Sequence, residues 1–158
     1  MVKLAGIVGW DIFKGSEHRL PSIEDISPNP RLVIFFGLSK SDRVTRFRRF
    51  RMMEEIPLCY IMNNIPIEIA KRIKRADFRK NAMMDILKKR LCIVPGKIHQ
   101  TIQAIAADNE VARNLQIGSL EPIMYVESFE HDNKGVPILY TQTYCRGDLS
   151  KYSIEMQT

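Results

Sequence analysis

Apolar and polar positions alternate along this chain in two different rhythms. "RLVIFFGL" at 31–38 is a short apolar run closed by Gly37, which predicts a short helix ending in a left-handed glycine. The stretches 43–53 and 56–64 read as extended. Glu54 and Glu55 stand between them and Pro57 just beyond, which predicts an antiparallel hairpin. In "IPIEIAKRIKRADF", Ile69, Ala70 and Ile73 share one helical face and Pro66 suits a helix start, so a helix is expected over 67–75. "NAMMDILKKRL" predicts a second over 82–90, with Asn81 as N-cap and Lys88, Lys89 and Arg90 suiting the C-terminal end of the dipole. Residues 97–107 fit strand or helix equally. "DNEVARNL" predicts a short helix capped by Asp108, and 122–131 with 137–145 a second pair of extended runs. "RGD" at 146–148 breaks that pair, and "KYSIEM" reads as a last edge strand. The first thirty residues read as loop, with "SPNP" at 27–30 as the break.

Laid over one another, "FGLSKSDRVTRFRRFRMMEEIPLCYIMNN" and "LQIGSLEPIMYVESFEHDNKGVPILYTQTY" form an internal repeat. Val44 falls on Ile123, an offset of 79 residues, and Phe47 on Val126 and Phe50 on Phe129 keep it. Each copy is a short helix, a polar turn, a strand, a turn and a returning strand. The pattern predicts an α+β domain: a central antiparallel sheet built from two related hairpins, with flanking helices. The 158 residues make one domain, 1–158, with a real core.

Composition narrows the function classes. No apolar run approaches the length of a membrane span, and "MVKLAGIVGWDIFKG" lacks a cleavage site, so it belongs to the domain. Cys59, Cys92 and Cys145 are odd in number and widely spaced, which suggests buried, reduced thiols in a cytoplasmic protein. His18, His99 and His131 stand far apart, so no metal site is expected. The net charge of +6 is uneven. Residues 40–90 hold 15 basic and 6 acidic residues, or +9, whereas 101–158 hold 4 basic and 8 acidic, or −4.

The densest basic stretch is "RVTRFRRFR" at 43–51. In a strand, Phe47, Arg49 and Arg51 point one way and Arg46, Arg48 and Phe50 the other. Neither face is purely apolar, so charge must face the core. A buried guanidinium needs a carboxylate or a bound anion. The repeat places Ser128 and Glu130 opposite Arg49 and Arg51, so the arginine pair belongs to the first copy alone. Three readings follow. The pair grips an anion; or it stays exposed or pairs with Glu54, Glu55, Glu127 or Glu130; or the strand contacts nucleic acid, though no recognised nucleic-acid motif accompanies it. On the first reading Arg46 and Arg48 are mostly solvated.

Taken together, "FGL" at 36–38, Arg49 and Arg51, "IP" at 56–57, "GVP" at 135–137 and "YCRGD" at 144–148 resemble, in order and spacing, the UTRA effector-binding domain of HutC-type regulators in the GntR superfamily. The resemblance covers roughly residues 20–158. It implies a chorismate-lyase-like fold, homodimers, and a sensor that binds a small anionic effector, a carboxylate or phosphate ester. It implies that DNA is bound only through a separate winged-helix domain. The sequence opens about where the family's linker ends, so that domain is expected outside this chain. No cofactor is implied. The implied effector-binding residues are Arg49 and Arg51; Gly6 and Gly9 of "GIVG" as an anion-gripping backbone loop; Asn81 at the start of the second helix; and Tyr144. Several positions depart from the family's sugar-phosphate binders: Ile61 and Leu139 replace Glu, Ala82 replaces Ser unless Asn81 takes its place, and Cys145 replaces Tyr. These changes point to a less hydroxylated anion. A chorismate lyase shares the fold but needs a carboxylate on the last strand of the second hairpin, where "ILYTQTYC" offers Gln142 and no acid.

Overall fold

The computed structural model describes residues 17–79 and 81–152. In chain order they form β1 (Glu17–Ile26), α1 (Pro30–Phe36), β2 (Val44–Met53), β3 (Ile56–Pro66), α2 (Ile67–Ala70), a 3-10 turn (Arg75–Phe78), α3 (Met83–Leu91), β4 (Pro95–Ala106), α4 (Asn109–Leu115), β5 (Pro122–Asp132) and β6 (Pro137–Arg146). The six strands make one sheet in the order β1-β2-β3-β6-β5-β4, antiparallel at every pairing. That order is what a pseudo-twofold axis between β3 and β6 produces.

The repeat runs further than its hairpins. Asn29 caps α1 by accepting from the Leu32 N–H, and Asp108 caps α4 by accepting from the Val111 N–H. Both helices end in a left-handed residue, Gly37 at φ 65° and Gln116 at φ 56°. β1 and β4 are the matching outer strands. The sequence read the first as loop and left the second ambiguous, because an edge strand pairs on one side only and needs no continuous apolar face. Pro21 also interrupts β1, and the register shifts between Arg19 and Ser22 to accommodate it.

Two helical expectations need correction. The helix expected over 67–75 is a single turn ending at Ala70, followed by the 3-10 turn. Lys71, Arg72, Lys74 and Arg75 would repel one another at helical spacing. The bent path instead buries Phe78 against Phe47, with ring centroids 5.2 Å apart. In addition Ala82, not Asn81, occupies the N-cap position of α3, without a side-chain cap. The Asn81 side chain donates to the Asp77 carbonyl at 3.0 Å and accepts from Lys89 at 3.1 Å. Of "KYSIEM", Lys151 and Tyr152 have no regular structure and the rest lies outside the described residues.

Helices pack on both faces of the sheet. On one, α2, the 3-10 turn and α3 bury Phe47, Ile65, Phe78, Ile86, Leu87 and Leu139. On the other, each helix crosses to the opposite half. α1 lies on β6, where Leu32 meets Tyr140, and α4 lies on β3, where Val111 and Leu115 meet Tyr60. Cys59 and Cys145 are directly opposed in the central β3–β6 pairing and fully buried. Burial pushes the Cys59 thiol well up. Cys92 is exposed, contrary to expectation, because it is the left-handed cap ending α3. Among the described residues, no helix is long and apolar enough to cross a membrane.

Candidate functional site

Alternation along the strands decides which side chains meet beneath α3. Arg49 and Arg51 of β2, Ile61 and Asn63 of β3, Leu139, Thr141 and Thr143 of β6 and Glu130 of β5 share one face. With His18 of β1 and the chain at Ala82–Asp85 they enclose a cavity of about 400 Å³. It straddles the pseudo-twofold axis.

Arg49 is only 2 % exposed. Its Nη1 donates to Asn63 Oδ1 at 3.2 Å, and its Nη2 to the Asn81 carbonyl at 2.7 Å and to His18 Nδ1 at 3.1 Å. Its guanidinium carbon sits 5.0 Å over the Phe78 ring. Among the described residues its Nε is buried without a partner. Every partner is neutral: among the described residues no carboxylate lies within ion-pair distance of Arg49. Burial, then the nearby Arg51, pulls its pKa down to about 10. Burial, then Arg49 and Arg51, lowers His18 to about 4. The imidazole is therefore neutral, which its acceptor role at Nδ1 requires. Across the cavity, burial raises the Glu130 carboxyl to about 7 against the opposing pull of Lys88.

The structure thus brings Arg49 and Arg51 together at the cavity. Asn81 contributes its carbonyl to Arg49, while its side chain turns away. Tyr144 needs correcting: it lies on the opposite face, stacked on Tyr60 with ring centroids 6.1 Å apart and tilted against Tyr125 at 4.9 Å. One residue decides this, since a strand flips face at every step and Cys145 takes the other side. Cys145 packs with Cys59, Leu58 and Ile61. Gly6 and Gly9 lie outside the described residues. Ile61, Ala82 and Leu139 line the cavity as apolar replacements, but Asn63, Thr141, Thr143 and Glu130 keep it polar. Sequence reasoning missed His18, hidden in a strand read as loop, and Glu130, although the repeat had already set it opposite Arg51.

On the far face Arg46 and Arg48 are not mostly solvated, as expected, but bonded. Arg46 donates to Asn64 Oδ1 at 2.9 Å. Arg48 reaches Glu24 at 3.1 Å, Glu110 of α4 at 3.2 Å and the Tyr60 hydroxyl. In the other half Arg31 of α1 pairs with Glu127 of β5, which also accepts from the Tyr140 hydroxyl at 2.5 Å. The repeat superposes these two clusters: Arg31 on Glu110, Arg48 on Glu127, Tyr60 on Tyr140. The same helix-to-sheet lock occurs twice with its charges exchanged.

His18 and Glu130 give stability opposite pH dependences. His18 has a lowered pKa, so the unfolded chain binds the extra proton and stability rises with pH from about 4 to 6.5. Glu130 has a raised pKa, so its contribution is full below 4.5 and is lost as pH rises through about 7. The two slopes oppose each other in the overlap. Urea unfolding across pH 4–7 is expected to show a shallow profile for the parent. His18→Gln should lose stability with rising pH, and Glu130→Gln should gain it. Two single-variant profiles parallel to the parent's would disprove the shifts.

The profile of the UTRA domain matches residues 14–151, nearly the whole chain. The chain belongs to the UTRA domain family. This UTRA domain is 22% identical over 130 residues to the HTH-type transcriptional repressor NagR of Bacillus subtilis, covering 82% of this chain and 53% of that protein. It therefore spans about half the length of the curated relative it matches. Its fold superposes on a GntR-family transcriptional regulator from Enterococcus faecalis with a TM-score of 0.79 at 23% identity, covering 87% of this chain and 99% of that one. It superposes on the effector domain of PhnF from Mycobacterium smegmatis with a TM-score of 0.79 at 15% identity, covering 90% and 88%. The α+β architecture is the chorismate-lyase-like fold that the family resemblance implied.

Proposed function

We propose that this UTRA domain is the sensor of a transcription regulator: it binds a small anionic metabolite, a carboxylate or phosphate ester, and relays its presence to a separate winged-helix DNA-binding domain. The observation that carries this reading is Arg49, a guanidinium 2 % exposed among neutral partners at the wall of a 400 Å³ cavity. A buried charge with neutral partners is costly. An anion offsets that cost, and the planar donor fork suits carboxylate and phosphate alike. Arg51 lines the same cavity. The reading is one of binding without catalysis, supported by β6, which lacks the carboxylate that a chorismate lyase of this fold needs on that strand. The regulator works as a cytoplasmic homodimer without a cofactor.

Calorimetric titration with a panel of small acids and phosphate esters tests the reading. At least one should bind, with saturating stoichiometry. The same domain should show no salt-dependent affinity for duplex DNA, whereas phosphate-backbone binding would weaken steeply with salt. Silence across the panel combined with strong DNA binding would replace the sensor by a nucleic-acid binder.

A further inference from the structure

The repeat that superposes the two hairpins places Arg49 on Ser128 and Arg51 on Glu130. All four side chains belong to the cavity-side face of the sheet, and the cavity crosses the axis relating them. Its two ends are therefore chemically inverted: two guanidiniums at one, a hydroxyl and a carboxyl at the other. Ser128 is already engaged, accepting from Gln100 at 2.7 Å. Glu130 is not. It lines the cavity, and among the described residues it has no hydrogen bond or ion pair. Lys88 of α3 is the charged group that acts on it, and Asp85 of α3, His18 of β1 and Arg49 and Arg51 of β2 are the other charged or titratable groups lining the cavity. Its register neighbours Ile98 and Leu139 are apolar.

We infer that Glu130 is the second recognition point of this cavity, taking an ammonium group of an effector whose anionic group lies on Arg49 and Arg51. The ligand class is an amino-bearing acid or phosphate ester, a zwitterion. This rests on the anion-binding reading above and extends it. A simple anion would answer the arginines alone and leave the buried Glu130 carboxyl, which then holds its proton, without a partner in the same small space. A zwitterion answers both ends. The raised carboxyl of Glu130 agrees with a site completed by a cation, since a buried carboxylate without one holds its proton. Thr141 and Thr143, between the two ends on β6, can hydrogen-bond the spacer. β2 and β5 stand three strands apart, roughly 14 Å across the sheet at the backbone. Their side chains lean inward, so the two charges of the ligand are separated by several bonds, not adjacent as in an α-amino acid.

The test uses two probe series, ω-aminoalkanoates of about four to eight carbons and ω-aminoalkyl phosphates over the same range, each beside its counterpart lacking the amine. Binding to the parent, Glu130→Gln and Arg49→Met is measured by calorimetry, with thermal melting to confirm folding. In the parent, at least one aminated probe should bind ten or more times tighter than its partner. In Glu130→Gln that ratio should fall toward one, through weaker binding of the aminated probe, while the amine-free acid binds about as it does to the parent. In Arg49→Met neither probe should bind. An aminated probe no tighter than its partner, or a ratio that survives in Glu130→Gln, overturns the role of Glu130 and leaves the arginine site standing. Failure of both series with the parent overturns the two readings together.

Discussion

Replacing Arg49 with methionine is expected to weaken anion binding at least a hundredfold while leaving the empty domain about as stable as the parent. The two halves of this expectation have different causes. With three of its five N–H donors already engaged, Arg49 keeps Nε and one Nη1 hydrogen for an anion, and two charge-assisted hydrogen bonds at about 1.5–3 kcal/mol each exceed the roughly 2.7 kcal/mol that a hundredfold represents. On the stability side, a pKa held down to about 10 means that burial, together with the nearby Arg51, opposes the charged form by about 3 kcal/mol. Methionine removes that opposition and keeps an apolar stem beside Phe78. It also leaves Asn63, His18 and the Asn81 carbonyl without their donor, which costs a comparable amount. His18 opens onto the cavity and can turn to water, which limits this second cost. Urea midpoints and calorimetric titration with whichever anion binds the parent measure the two halves separately. A structural arginine would give the reverse result, a loss of about 3–5 kcal/mol of stability with binding retained.

Reversing the charge of Arg48 is expected to destabilise the domain by about 2–4 kcal/mol, and Glu110→Arg to restore at least half of that. Arg48→Glu sets a carboxylate between Glu24 and Glu110 and beneath the Tyr60 hydroxyl, where a partly buried cation had satisfied all three. The second substitution rebuilds the pair with the polarity that Arg31 and Glu127 already use in the other half. Glu24 on β1 still faces the reversed charge, so recovery is incomplete. Urea unfolding of the parent, both single variants and the double variant gives the coupling directly. A coupling near zero would mean that α4 is held on β3 by Val111 and Leu115 alone.

The hairpins and the two short capped helices were legible because their signals are local. Asn29 and Asp108 cap through their own side chains, Gly37 ends a helix by its backbone freedom, and alternation from Val44 onward fixed which arginines share a face. The repeat was legible for the same reason, since its offset never depended on contacts. β1 was not legible, because its polarity reflects an exposed edge and a bulge at a proline, and its partner β2 alone makes it a strand. The shortened α2 was hidden because the gain of burying Phe78 on Phe47 comes from tertiary packing. At the cavity, Arg49 and Arg51 followed from parity and family pattern. Tyr144 failed by a single step of that parity. His18 and Glu130 reach the cavity only through the pairing of β1 with β2 and of β5 with β6, which no local window contains.

Two halves so similar offer each short helix two nearly equivalent berths on the sheet, and a collapsing chain must choose between them. In the native arrangement Arg31 meets Glu127 and Glu110 meets Arg48. Exchange the berths and Arg31 lands on Arg48 while Glu110 lands on Glu127, like against like at both places. The exchanged polarity of the two locks therefore tells the helices apart where their apolar faces do not, and penalises the crossed assembly before packing is complete. A chain with both locks of one polarity would keep every native ion pair and lose this sorting, so that the two berths, within one molecule or between two, would compete on equal terms.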